Sequence, residues 1–83
     1  MEDVAETLRS IVARFAPETG HLITLTDATL LVTDIGIDSP RMIDILLDVE
    51  DRFSVTIDDA EFQQVQTFGE LVGLVTGLVA KSA

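Results

Sequence analysis

Val4, Leu8, Ile11, Val12 and Phe15 recur at the three- and four-residue steps of one helical face, while Glu6, Arg9 and Arg14 fall largely outside it. This pattern predicts a first helix from residue 2 to about residue 15, ended by Pro17 and Gly20. From His21 to about Asp38 the periodicity disappears, yet Leu22, Ile23, Leu25, Leu30, Leu31 and Val32 keep the stretch apolar enough to pack down. Its runs at 22–26 and 30–33 have strand-like composition. No Asn-Gly or Asp-Gly turn joins them, and an isolated two-stranded ribbon is weak. The stretch is therefore expected as a long ordered loop, with a short helical turn near residues 27–31.

A second helix is signalled most clearly. Ser39 is a favoured N-cap residue type, and Pro40 then falls at the first helical position, where its missing N–H costs nothing. Pro40 also disfavours the α region at Ser39, as a cap requires. Met42, Ile45, Leu46, Val49 and Phe53 trace a buried stripe, and Arg41, Asp44, Asp48 and Asp51 a polar one. After the exit at 54–59, residues 60–65 form a brief third helix with Phe62 and Val65 inward. Thr67-Phe68-Gly69-Glu70 reads as a capping box that opens a last helix to about residue 80. Its apolar positions are Phe68, Leu71, Val72, Val75, Leu78 and Val79. The expected architecture is an all-α, small four-helix bundle, three helices longer and one short, in a single domain over residues 1–83.

Composition narrows what such a bundle can do. The 83 residues are near the lower size limit for a core without disulfides or metal, and 47% hydrophobic content argues against disorder. With four Phe and no Trp or Tyr, the core is aliphatic. Zero Cys excludes a disulfide framework, a thiolate zinc site and a built-in thiol nucleophile. A formal net charge of -10 disfavours nucleic acid and favours basic protein surfaces. No basic leader precedes an apolar run and the longest apolar stretch, 71–80, is too short to span a membrane, so a cytoplasmic location is expected.

The candidate chemistry lies in Asp34-Ile35-Gly36-Ile37-Asp38-Ser39-Pro40, a turn that delivers one hydroxyl to the start of an acidic amphipathic helix. The chain's one histidine, His21, is far from Ser39 in sequence, so no base–nucleophile pair is expected and no intrinsic enzyme. The acids of 34–38 lack the ligand order of a calcium loop, and no metal site is expected. Taken alone, Ser39 reads as an ordinary N-cap, Asp38 as a turn residue bonding its own backbone, and the acids of the second helix as a solvated face.

The wider pattern resembles the acyl carrier protein family. The match is Ile35-Gly36-Ile37-Asp38-Ser39, a helix with acids at Asp44, Asp48, Glu50 and Asp51, then Phe53-Ser54-Val55-Thr56-Ile57-Asp58-Asp59 and Val65-Gln66-Thr67-Phe68. It runs without gaps from about residue 33 to 75, and the first helix fits less specifically. The resemblance implies that Ser39 carries a covalent 4'-phosphopantetheine arm, transferred from coenzyme A by a phosphopantetheinyl transferase, which holds acyl cargo for enzymes of fatty-acid, lipid or polyketide synthesis. A phosphodiester at Ser39 would lie beside unpaired N–H groups and the positive end of the helix dipole.

By the same resemblance, Asp38 helps bind the transferase, and Asp44, Asp48 and Asp51 dock onto basic patches of loading and transferring enzymes. Met42 and Leu47, near that face, are expected as apolar anchors between the charges, and Pro40 is expected in the same docking set. A monomer is expected. Two residues depart from the family pattern, Pro40 where Leu is usual and Arg41 where an acid is usual, and they point to a specialised carrier. The alternatives are a peptidyl or aminoacyl carrier, which Asp38 disfavours, and an unmodified helical module that binds through its acidic face. Gly69, Gly73 and Gly77 each cost about 0.8–1 kcal/mol of helix propensity against Ala. Close approach of another helix, or room for an acyl chain, would offset that.

Overall fold

A computed structural model describes residues 3–16 and 25–82. It contains four helices in the order expected: α1 (Val4–Phe15), α2 (Ser39–Phe53), the short α3 (Asp59–Gln63) and α4 (Phe68–Ser82). Among the described residues there is no strand beyond an isolated bridge between Leu30 and Thr67. The run at 22–24, His21, Pro17 and Gly20 lie outside the described residues.

Helix α1 starts at Val4 because Asp3 is its N-cap, its carboxylate accepting from the Glu6 amide. Leu8, Ile11 and Val12 are its buried residues, with Val4 and Phe15 half-buried beside them. Helix α2 buries Ile45, Leu46 and Val49 and half-buries Met42 and Phe53, so the predicted stripe faces the core. It ends where Ser54 turns into the left-handed region at φ 54°, and the amides of Ser54 and Val55 both donate to the Glu50 carbonyl. The Glu50 carboxylate takes a third bond, from Ile57 N–H at 2.8 Å, so this acid serves the fold. Helix α3 is shorter than residues 60–65, but Phe62 is buried and Val65 half-buried as expected.

The loop before α2 is a structural member of the core rather than a tether. Leu31 and Ile37 are buried as deeply as any helical residue, and Ile35 is buried with them. Val32, expected to pack down with them, is 59% exposed, because the turns at 31–35 aim it away from the bundle. The same loop closes the N-terminus of α4. Phe68 N–H donates to the Thr29 carbonyl and Gly69 N–H to the Asp27 carbonyl. Glu70 N–H donates to Thr67 Oγ1 and Leu71 N–H to the Thr67 carbonyl. All four first-turn amides of α4 thus have acceptors.

Glu70 completes the predicted capping box by accepting from the Thr67 and Gln66 amides at 3.0 and 3.2 Å. Those bonds, with one from the Thr67 hydroxyl, hold its carboxyl below the usual carboxylate range. Arg9 adds a side tie, donating to the Leu25 carbonyl while its guanidinium lies 5.5 Å from the Phe68 ring centre.

The three glycines of α4 do two different things. A Cβ on Gly69 would stand 2.8 Å from both Asp27 Cβ and Asp27 O, so close backbone approach explains it, although the neighbour is a loop and not a helix. Gly73 and Gly77 face open space, with nothing within 4 Å of a built Cβ. They line a shallow surface depression with Glu61 of α3, Gln64, Leu74 and Leu78, and among the described residues no helix comes within 4 Å of either position.

Candidate functional site

The serine turn is built from backbone bonds and two buried side chains. Asp34 accepts the Leu30 amide on its carboxylate at 2.8 Å, and its own amide returns to the Leu30 carbonyl. Gly36 has φ 85°, a conformation that disfavours any residue with a Cβ, and it donates to the Val32 carbonyl. Ile35 and Ile37, on either side, are 3% and 0% exposed and pin the turn to the core. The next three residues, Asp38-Ser39-Pro40, are exposed. The pattern buried–glycine–buried–exposed is how an otherwise greasy loop lifts one hydroxyl to the surface.

Asp38, and not Ser39, caps α2. Its backbone is extended, at φ -85° and ψ 173°, and its carboxylate accepts the Arg41 amide at 3.1 Å. Ser39 is therefore the first residue of the helix and Pro40 the second. The expected preference of a pre-proline residue for extended backbone is overridden here, since an ionised Asp is at least as good a cap as Ser and lies one residue earlier. Ser39 gains from the exchange: its hydroxyl makes no hydrogen bond among the described residues.

The first turn also differs from the expected nest of unpaired amides. Arg41 N–H is held by the Asp38 carboxylate, Met42 N–H by the Asp38 carbonyl, and Pro40 has none. Only Ser39's own N–H remains, so an anion attached there would be favoured mainly by the helix dipole. An exposed, uncommitted hydroxyl at the positive end of a fifteen-residue helix fits a phosphodiester-linked arm.

Beside Ser39 lies an apolar groove of about 340 Å³, walled by Val32, Met42, Ile43, Phe62 and Val65. A neighbouring cleft of about 350 Å³ runs along Ile43, Leu47 and Phe62 between α2 and α3. Ile43 and Leu47, one helical turn apart, are 56% and 58% exposed. Sequence marks Leu47 as an anchor beside the acids but does not mark Ile43 or Val32 as surface residues. Ile43's position off the buried stripe and one turn before Leu47 is the signal that could have found it.

The acidic residues do not form one uniform row. Asp44 and Asp51 are exposed and make no hydrogen bond or ion pair among the described residues. Asp48 is half-buried and accepts from Arg14 of α1 at 3.0 Å. Met42 is half-buried as a groove wall, and Pro40 is exposed next to Ser39. Nothing near Ser39 among the described residues forms a base–nucleophile pair, and no cluster of His, Asp or Glu there could hold a metal ion.

Comparison with known proteins matches this geometry. Residues 6–75 match the family model described as the phosphopantetheine attachment site. An acyl carrier protein of Thermotoga maritima is 33% identical over 51 residues, 61% of this chain and 63% of that relative. One from Beutenbergia cavernae is 43% identical over 47 residues, 57% of each. The aligned stretches thus span less than two thirds of either relative. In three dimensions, the solution structure of the hexanoyl acyl carrier protein from the actinorhodin polyketide synthase of Streptomyces coelicolor superposes with a TM-score of 0.81 at 30% identity, covering 94% of this chain and 92% of that one.

Proposed function

The chain belongs to the phosphopantetheine-attachment family, that of the acyl carrier proteins, and on that premise we propose that Ser39 is the residue that takes the 4'-phosphopantetheine arm. The observation that carries the reading is the exposed Ser39 hydroxyl on the first residue of α2, with Asp38 and not Ser39 doing the capping. In loading, the Ser39 oxygen bonds to the phosphorus bearing the pantetheine of coenzyme A as the pyrophosphate bond breaks. Adenosine 3',5'-bisphosphate departs, and the serine proton passes to a base of the transferase. The bound arm supplies the thiol that a chain without cysteine lacks, and acyl cargo is held there as a thioester.

The remaining roles belong to the polypeptide. Asp38 fixes the first turn, so Ser39 is presented in one position. The groove of Val32, Met42, Ile43, Phe62 and Val65 begins at Ser39 and offers apolar surface to a cargo. Pro40, Asp44, Leu47 and Asp51, with Ile43, form the docking face for the transferase and for acyl-loading and acyl-transferring enzymes with basic patches. Arg41 interrupts that face next to the arm, which favours partners different from those of a carrier with an acid at this place. The site acts by tethering, raising the effective concentration of one cargo near several enzymes, and performs no catalysis of its own. No helix among the described residues is long and apolar enough to cross a membrane, and a cytoplasmic monomer is the form in which we expect the carrier to work.

Incubation with coenzyme A and a broad-specificity phosphopantetheinyl transferase, followed by peptide mapping, tests the assignment. The added mass should fall on the fragment containing Ser39. An unmodified helical module would show no adduct, and an adduct on Ser10, Ser54 or Ser82 would move the site.

A further inference from the structure

A third groove, of about 380 Å³, lies between the loop before α2 and the residues at the end of α3, with Leu30, Thr33, Gln63 and Gln66 among its walls. It shares Val32, Gln63 and Val65 with the groove at Ser39, so the two are continuous. Gln63 also lines the cleft between α2 and α3. Among the described residues it is the one side chain common to all three. A chain entering from Ser39 therefore meets a fork at the Gln63 carboxamide. The loop branch is clamped from both walls: Leu31 N–H donates to the Gln66 carbonyl at 2.9 Å, and Gln66 N–H donates to the Glu70 carboxylate at 3.2 Å.

The two branches differ in chemistry. The α2–α3 cleft offers Ile43, Leu46, Leu47 and Phe62, and beyond Gln63 its polar side chains are Glu50 and Asp59, which only accept hydrogen bonds when ionised. The loop branch is lined by no charged side chain, although charged residues make up 24% of the chain. Thr33, Gln63 and Gln66 bring it a hydroxyl and two carboxamides, neutral groups that both donate and accept. All three residues are exposed, and their side chains make no hydrogen bond among the described residues. A carbonyl oxygen within an acyl chain has no proton to give. Beside Glu50 and Asp59 it would lose water and gain no donor from them, whereas the carboxamides of the loop branch supply one. A saturated chain has no such need and is served by the apolar wall of the cleft. We infer that the fork sorts cargo: a chain bearing carbonyl oxygens lies in the loop branch, held by the Gln63 carboxamide, and a saturated chain lies in the α2–α3 cleft. This rests on the carrier reading of Ser39, and it makes Gln63 a specificity-determining residue.

The test loads the full chain from hexanoyl- and 5-oxohexanoyl-coenzyme A with a broad-specificity phosphopantetheinyl transferase, giving cargoes of equal length that differ by one carbonyl. Relative to the unacylated pantetheine form, 5-oxohexanoyl should shift the NMR signals of Thr33, Gln66 and the Gln63 carboxamide. Hexanoyl should instead shift those of Ile43 and Leu47. Gln63→Leu should hasten cleavage of the 5-oxohexanoyl thioester by hydroxylamine roughly two- to five-fold, the range of one neutral hydrogen bond. It should leave the hexanoyl rate unchanged. Gln63→Glu, equal in size but without a donor when ionised, should match Gln63→Leu toward 5-oxohexanoyl. The same shift pattern for both cargoes, or a Gln63→Leu variant that speeds both cleavages equally, overturns the inference. If loading succeeds with that result, the sorting idea falls and the carrier reading of Ser39 stands; if the chain never gains the acyl-pantetheine mass, both fall.

Discussion

Asp38 holds the Arg41 amide on its carboxylate at 3.1 Å, and this bond frees Ser39 from capping the helix that presents it. Two jobs that one residue was expected to share are split between neighbours. Asp38→Ala should cost about 1 kcal/mol of stability in urea denaturation, the usual value of an N-cap. Asp38→Asn, which keeps a cap oxygen, should cost much less. Ser39→Ala should leave stability within about 0.5 kcal/mol of the original, as expected for an exposed non-capping residue. A larger loss for Ser39→Ala than for Asp38→Ala would return the cap to Ser39.

The glycines of α4 should respond with opposite signs. Gly69→Ala forces a Cβ to within 2.8 Å of Asp27 backbone and side chain, and the loop must move. A destabilisation of about 1–3 kcal/mol is expected, as for other overpacked sites. Gly73→Ala and Gly77→Ala meet open space and should each stabilise by about 0.5–1 kcal/mol through helix propensity. Urea midpoints of the three variants check this directly. A stabilised Gly69→Ala protein would mean that the Asp27 turn does not hold α4 as described.

Glu70 should contribute to acid stability. Its carboxyl is held below its ordinary range by hydrogen bonds from the Thr67 backbone, then the Gln66 backbone and the Thr67 hydroxyl. A carboxyl with a depressed folded value binds protons more readily unfolded than folded. Its stabilisation is therefore present above the ordinary carboxylate value and is lost as pH falls through the lowered one. Across that acid window Glu70→Gln should show a shallower fall in urea midpoint than the original protein, while being less stable near neutrality. Parallel pH profiles would show that the capping box does not titrate with folding.

Features carried by residues close in sequence were legible. Thr67 and Glu70 lie three apart and form their box whatever the rest of the fold does. The stripes of α1 and α2 were likewise readable, because each helix buries the face its periodicity marks. The cap of α2 was not, since Asp38 and Ser39 are both good caps and only the observed backbone decides between them. Nor could sequence show that Asp48 is occupied: its partner Arg14 is on another helix, and helical phase alone cannot say which residues of α1 it meets. Gly69 posed the same difficulty, its neighbour Asp27 being set by how the loop folds back. Apolar residues of the loop divided between core and groove for a related reason. The turns around Gly36 decide that Ile35 and Ile37 point in while Val32 points out.

The most direct measurement is intact mass after exposure to coenzyme A and a competent transferase, made side by side on the original chain and on Ser39→Ala. The account predicts one pantetheine-phosphate adduct on the first and none on the second, with both proteins equally folded. An adduct on Ser39→Ala, or an original chain that stays unmodified with every competent transferase offered, would contradict it.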